Sequence, residues 1–274
     1  AIFTTGCGFL YIIHNRSIVI FVAFGITLFY MMLKKRISWK KVSAALLILS
    51  VMLFADHMIK LKLTELSLTE ASFSGNNISS QSEHLSLLLS LDGWRTLFLS
   101  LIGKLWYILA STLMIAYIGI LYIIKKLILH FKNKKNNIMD NMYFFYIFIT
   151  LFICGTIAVS AITAIPAEID YTVSTRLDAY FYGRYSDILC GILIISGLLY
   201  LKETTKKVDL IKVIISGEII YLVCGGILYS QIKDFFNFFV NVLCVPGIYF
   251  SEEFDYLKFF QKGFVISLIL SIIY

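Results

Sequence analysis

Long apolar runs separated by short basic loops set the pattern of this chain. Ala1 to Ile13 reads as the tail of a membrane helix, closed by His14-Asn15-Arg16, and Ser17 to Leu33 as a short span. The basic loop Lys34 to Lys41, with Trp39 suited to an interface, leads into a span from Val42 to about Met58. Asp56 and His57 stand near its exit. Lys60 to Lys104 is the longest polar region, and its Ser72-Phe73-Ser74-Gly75-Asn76-Asn77 stretch predicts a loop. From Glu83 to Leu101, the positions of Leu85, Leu88, Leu89, Trp94, Leu97, Phe98 and Leu101 predict an interfacial amphipathic helix, broken near Asp92-Gly93. Leu105 to Ile124 predicts one uninterrupted span, opened by the aromatic-belt pair Trp106-Tyr107.

Tyr143 to Ile165 carries no charge and is long enough to cross a bilayer, and Pro166 ends it. Tyr185 to Leu201 predicts another span, with Asp187 in its first turn, where a carboxylate suits the helix dipole. Lys212 to Ile232 crosses back, with Glu218 about a turn and a half inside, and Phe264 opens one more helix. The expected fold is therefore all-α: a polytopic transmembrane bundle of about six full spans, with partial spans at both ends and an outer interfacial helix. It is expected to form one transmembrane domain over 1–274. The chain starts within an apolar run and stops eleven residues after Gly263, so it is expected to be a piece of a longer protein.

Composition agrees with the pattern. Hydrophobic residues make up 59% and charged residues 15%, against about 25% charged in soluble domains. A net charge of +7 does not point to nucleic acid, because the positive residues fall in short runs between apolar segments. Fourteen of the 24 lysines and arginines lie in three loops: Lys34–Lys41, Lys125–Lys135 and Lys202–Lys212. Positive-inside bias puts those loops in the cytoplasm and the longer polar loops outside. The five cysteines lack C-x-x-C spacing, and phosphate-loop, G-x-S-x-G and H-E-x-x-H motifs are missing. No cofactor or metal is expected.

The densest polar cluster is Arg176-Leu177-Asp178-Ala179-Tyr180-Phe181-Tyr182-Gly183-Arg184-Tyr185. Its arginines suit bidentate contact with a phosphate, and its tyrosines offer rings and hydroxyls to a sugar. The same residues serve equally as interfacial anchors, with an arginine paired to Asp178 or Asp187. Glu168 and Asp170 are further outer-loop carboxylates, and His14 with Arg16 lies in a short outer turn. Glu218 is the clearly intramembrane acid, a candidate for proton or ion coupling or for a packed structural pair.

Two motifs carry a resemblance. Gly103-Lys104-Leu105-Trp106-Tyr107, followed by Ser111-Thr112 and Gly119, resembles a G-x-L-W-Y … S-T … G pattern. Arg176-Leu177-Asp178 with Tyr182-Gly183-Arg184-Tyr185 resembles R-x-D-x-x-x-Y-G-R-Y, and His14-Asn15-Arg16 and Val245-Pro246-Gly247 fit shorter matches. Together they are similar to the middle and later part of bacterial multi-pass proteins of the GT-C glycosyltransferase type. The resemblance implies a polyprenyl-phosphate-linked sugar as donor, used at the extracytoplasmic face of the cell membrane. Arg176, Asp178, Tyr182, Arg184 and Tyr185 would then contact the substrate. It transfers no catalytic base to a numbered residue, because the usual catalytic aspartate falls before this stretch. A transporter or flippase of a lipid-linked or amphipathic substrate, with Glu218 as the coupling acid, is the alternative. A non-catalytic membrane scaffold is a third. Membrane lipid is the expected partner in all three.

Overall fold

The computed structural model describes residues 2–13, 18–66, 88–132, 141–163, 180, 183, 186–204, 207–232 and 256–273. Among them the regular elements are helices, and no strand is present. They are α1 (Ile2–Ile13), α2 (Ile18–Leu33), α3 (Trp39–Leu66), α4 (Leu91–Ser111) and α5 (Ile115–Lys132), then α6 (Asn141–Ile162), α7 (Asp187–Glu203), α8 (Lys207–Ile232) and α9 (Tyr256–Ile273). Trp39–Lys62, Met142–Ile162 and Val208–Gln231 are long and apolar enough to cross a membrane, and α4 with α5 makes a fourth candidate if that bent pair counts as one. Leu46, Leu47, Val51 and Phe54 on α3, and Ile211, Ile215, Ile219 and Leu222 on α8, leave apolar rows exposed. Water does not tolerate such rows, whereas hydrocarbon solvates them. These are the features of a multi-pass membrane protein.

Several boundaries differ from expectation. α3 begins at Trp39 and runs past Met58 to Leu66, so Asp56 lies well inside a helix. The reason is local: buried Asp56 is paired with Lys60 one turn on, which lets the helix continue through its polar end. The discontinuity expected near Asp92-Gly93 falls at a helix start: Ser90 caps α4, its Oγ accepting from Gly93 N at 3.0 Å, with Asp92 in the first turn, while 83–87 lie outside the described residues. The expected span Leu105–Ile124 is not one helix either, since it breaks at Thr112–Met114 with a bend of 110°. α8 starts at Lys207, which puts Glu218 about three turns inside rather than one and a half. α9 starts at Tyr256, eight residues before Phe264.

The chain resolves into two compact units, Ala1–Ser82 with Asn133–Thr156, and Glu83–Lys132 with Ile157–Tyr274. In the first, α1 packs on α2 and α3. Phe3 sits 5.4 Å from Phe24 and 5.2 Å from Phe148, and the Tyr30 ring lies tilted against Phe144 at 5.7 Å. Gly8 makes room for Met52, and Gly155 for Val19.

In the second unit, α5 and α7 form the most extensive helix pair. Contacts advance together along both, from Gly119 against Leu193 to Tyr122 against Tyr200 and Lys126 against Glu203. The two helices are therefore parallel. Glycine permits their approach: a Cβ on Gly119 would strike the carbonyl of Leu193, and one on Gly197 would strike Ile115. At the far end Tyr122 Oη donates to Glu203 Oε1 at 2.8 Å, and Lys126 Nζ lies 2.9 Å from Glu203 Oε2. Lys125 stands over the Tyr200 ring at 5.3 Å. α4 and α8 run antiparallel, because Arg95 meets Gln231 while Trp106, eleven residues on, meets Tyr221. α9 packs on α8.

Replacing Gly197 with Leu forces two backbones apart, so about 1–3 kcal/mol of stability should be lost by overpacking. A lowered melting temperature in detergent checks this, and an exposed control such as Ile195→Leu should leave it unchanged. Lys126, then Tyr122, hold the Glu203 carboxyl below its ordinary range. A depressed folded-state value gives stability that is present above about pH 4.3, the unfolded value, and lost as pH falls through the folded one. Glu203 is substantially exposed, so the effect should be small, and Glu203→Gln should remove it from acid melting curves.

Candidate functional site

The second unit brings two sequence motifs together. Gly103 and Tyr107 lie on one face of α4, and the Arg176–Tyr185 cluster touches that face through its two described residues. The Tyr180 backbone carbonyl rests where a Cβ on Gly103 would stand, and Gly183 lies directly against the Tyr107 ring. Both glycines are there for close approach, since any side chain would lift the segment off the helix. Tyr180 is itself buried. Gly183 also accepts a hydrogen bond from Ser186 N at 2.6 Å, one residue before α7 begins. The start of α7 is thus tied to α4 by sequence that the cluster supplies.

Tyr107 completes the tie. Its hydroxyl donates to Asp187 Oδ1 at 2.9 Å, and one turn later Ser111 Oγ lies 3.7 Å from Cys190 Sγ. Trp106 and Tyr107 were expected as an aromatic belt at the membrane surface. Instead both are buried: Tyr107 under the cluster and Trp106 against Tyr221 at 5.5 Å. Belt-like exposure falls to Trp39 and Trp94. The remaining residues of the cluster proposed for substrate, Arg176, Asp178, Tyr182, Arg184 and Tyr185, lie outside the described residues, as do His14, Arg16, Glu168, Asp170 and Val245-Pro246-Gly247.

Around this face several polar side chains are buried. Ser100, Lys104 and Ser186 are all 0% exposed, and Glu218 is 5% exposed. Lys104 was expected in an outer polar loop, but it lies inside α4. A buried ammonium or carboxylate is costly in an apolar surround unless neighbours stabilise it. A signal for Lys104 was available: it stands alone among Leu97–Ile124, a run otherwise free of charge.

The break after α4 adjoins the same face. Leu113 and Met114 have φ of 51° and 69°, left-handed values that non-glycine residues rarely adopt and that cost about 1–3 kcal/mol each. Thr112 spans the break, donating to the Ile108 carbonyl at 2.7 Å and accepting from Ala116 N at 3.2 Å. Met114 and Tyr117 press on Gly217, and the Tyr117 and Ser216 hydroxyls lie 3.0 Å apart. Glu218 is the next residue along α8.

No family model, curated protein or solved structure matches the chain. The site is therefore read from its own geometry. Among the described residues no group of three or more His, Cys, Asp or Glu is placed to hold a metal. What the arrangement offers is a helix face on which Tyr180 and Gly183 are seated, with ionisable groups buried nearby.

Tyr107→Phe removes the bond to Asp187 and should cost about 1–3 kcal/mol. Gly183→Val should cost at least as much by levering the segment off Tyr107. The check is melting temperature together with trypsin cleavage at Arg176 and Arg184, which should speed up in both variants. Unaltered cleavage would separate the clamp from the loop.

Proposed function

We propose that this chain is part of a GT-C-like glycosyltransferase of a bacterial cell membrane, taking sugar from a polyprenyl-phosphate donor on the extracytoplasmic face. One observation carries the reading. The segment through Tyr180 and Gly183 is clamped onto Gly103 and Tyr107, so the two motifs behind the resemblance form one site. In this reading Arg176 and Arg184 hold the donor phosphate, and Asp178, Tyr182 and Tyr185 contact the sugar. The Tyr107–Asp187 bond positions the loop and takes no part in the reaction. This reading assigns the catalytic base to no numbered residue.

The topology in this reading has about six full spans: α2, the bent α4–α5 pair and α7 beside the three long helices, with α1 and α9 as partial spans at the ends. The parallel packing of α5 and α7 supports it, because two parallel neighbours need one crossing between them. The exposed row Leu91, Trp94 and Phe98 supports an interfacial position for the start of α4. The short basic loops face the cytoplasm and the long loops the outside.

Transport of a lipid-linked substrate is the second reading, favoured by one feature. Glu218 is buried deep in a candidate span beside a broken helix pair, and broken helices with intramembrane acids are typical of transporters.

The test is transfer of labelled sugar from polyprenyl phosphate by membranes carrying the full-length protein. Arg184→Ala should lower transfer at least tenfold, the worth of one charge-assisted contact. Arg184→Lys should restore only part, since an ammonium lacks the bidentate fork. Undiminished transfer by both variants sinks the transferase reading. Loss of substrate translocation in Glu218→Gln, with transfer intact, moves the assignment to transport.

A further inference from the structure

The parallel helices α5 and α7 do not end together. Lys126 of α5 lies 2.9 Å from Glu203, the last residue of α7. α5 then continues six residues further, to Lys132, an overhang of about 9 Å at the helical rise. Its last turns have two sides. Ile124, Ile128 and Phe131 are exposed and fall within about 60° of one another round the helix, which makes an apolar stripe. Lys125 and Lys132, also exposed, lie about two turns apart along the flank of that stripe.

Positive charge collects at this level. Lys202 precedes Glu203, and three residues separate α7 from α8, whose first two turns carry Lys207, Asp209 and Lys212. Six lysines, Lys125, Lys126, Lys132, Lys202, Lys207 and Lys212, therefore gather with two acids, Glu203 and Asp209. Glu203 is already engaged by Lys126 and Tyr122. Lys125, Lys132 and Lys202 make no ion pair among the described residues.

An apolar stripe flanked by lysines fits one medium. Water would leave Ile128 and Phe131 unsheltered, and hydrocarbon would strand the ammonium groups. At the bilayer surface the stripe meets acyl carbon while the lysines reach phosphates. A nucleic acid or an acidic protein would satisfy the lysines and leave the stripe bare. We propose that the overhang of α5, with the end of α7 and the start of α8, lies among lipid headgroups and gathers anionic phospholipids there. The excess of lysine over acid supplies the selectivity, because a zwitterionic head brings its own cation. The surface does not depend on the transferase reading: it uses neither the Arg176–Tyr185 cluster nor a sugar.

The experiment reconstitutes the full-length protein in phosphatidylcholine vesicles holding a minor share of phosphatidylglycerol. Each lipid in turn carries the same photoreactive group high on one acyl chain, and labelled peptides are identified by mass spectrometry. In the wild type, residues 124–132 should be labelled at least fivefold more by phosphatidylglycerol, per mole of probe, than by phosphatidylcholine. About fivefold is what one lysine at an anionic surface gives. High salt should erode the preference, since exposed charges are screened. Lys125→Gln with Lys132→Gln should remove at least fivefold of it, and arginine at both positions should retain it. Lys40→Gln with Lys41→Gln, in the first unit, should leave labelling of 124–132 unchanged. The wild-type arms are independent of variant folding, and melting temperature shows that the variants are folded. Equal labelling by both lipids, anionic labelling confined to other segments, or wild-type preference in the folded glutamine variant each overturns the proposal. So does equal loss from the Lys40 and Lys41 changes, which would make the effect one of bulk charge. Loss of the preference to inorganic phosphate at matched ionic strength also overturns it, because the lysines would then bind free phosphate. Sugar transfer plays no part in any arm, so failure here leaves the transferase reading standing, and the reverse also holds.

Discussion

Helices in hydrocarbon gain nothing by hiding apolar side chains from lipid, so they associate where backbones can touch or polar groups can meet. The second unit obeys that constraint along its length. Gly119 and Gly197 let α5 and α7 approach until carbonyls and Cα atoms are in contact. Polar ties then hold α7 at both ends, Tyr107 of α4 to Asp187 at one and Tyr122 with Lys126 of α5 to Glu203 at the other. The loop before α7 follows the same rule, seated through Gly183 on Tyr107 and through Tyr180 on Gly103. Glycine thus decides which helices are neighbours, and the polar bonds decide how they slide.

The break at Thr112–Met114 follows from where the close contacts fall. A straight helix through this region would carry α4 and α5 along one axis, yet α4 must meet α8 while α5 must lie along α7. Two consecutive left-handed residues, Leu113 and Met114, turn the chain between those partners. Thr112 limits the loss of hydrogen bonds by using its hydroxyl on both sides of the turn. In a membrane such irregular backbone is tolerated where protein covers it, and Gly217 presses on it from α8.

How much of this could be read in advance depends on the kind of signal. The all-helical membrane class follows from uncharged runs such as Tyr143–Ile165, and those runs placed most helices within a few residues. Helix ends were misplaced where polar residues sit inside helices, as with Asp56, whose partner Lys60 is one turn away. The break was illegible because neither Leu113 nor Met114 is a residue that marks turns. The burial of Trp106 and Tyr107 was hidden for a related reason: aromatic pairs near a predicted helix start look alike whether they face lipid or protein. Gly103 and Tyr107 were legible as a motif, but their contact with Tyr180 and Gly183 is tertiary and has no signature in spacing.

Depth separates the two functional readings. A phosphate donor with its head at the membrane surface needs cations and hydroxyls at helix ends, and Asp187, in the first turn of α7, marks that level for the clamped loop. Coupling to a proton or ion gradient needs a titrating group inside the span, and Glu218, about three turns into α8, occupies that level instead. Lys104 complicates a simple division, being buried on the helix that packs against α8. The Trp106–Tyr221 contact fixes the local register, and from it Lys104 and Glu218 differ in height by about five residues, or roughly 7 Å. Both groups are buried in one packed helix pair, so each carries the cost of burying an ionisable side chain that either reading has to account for.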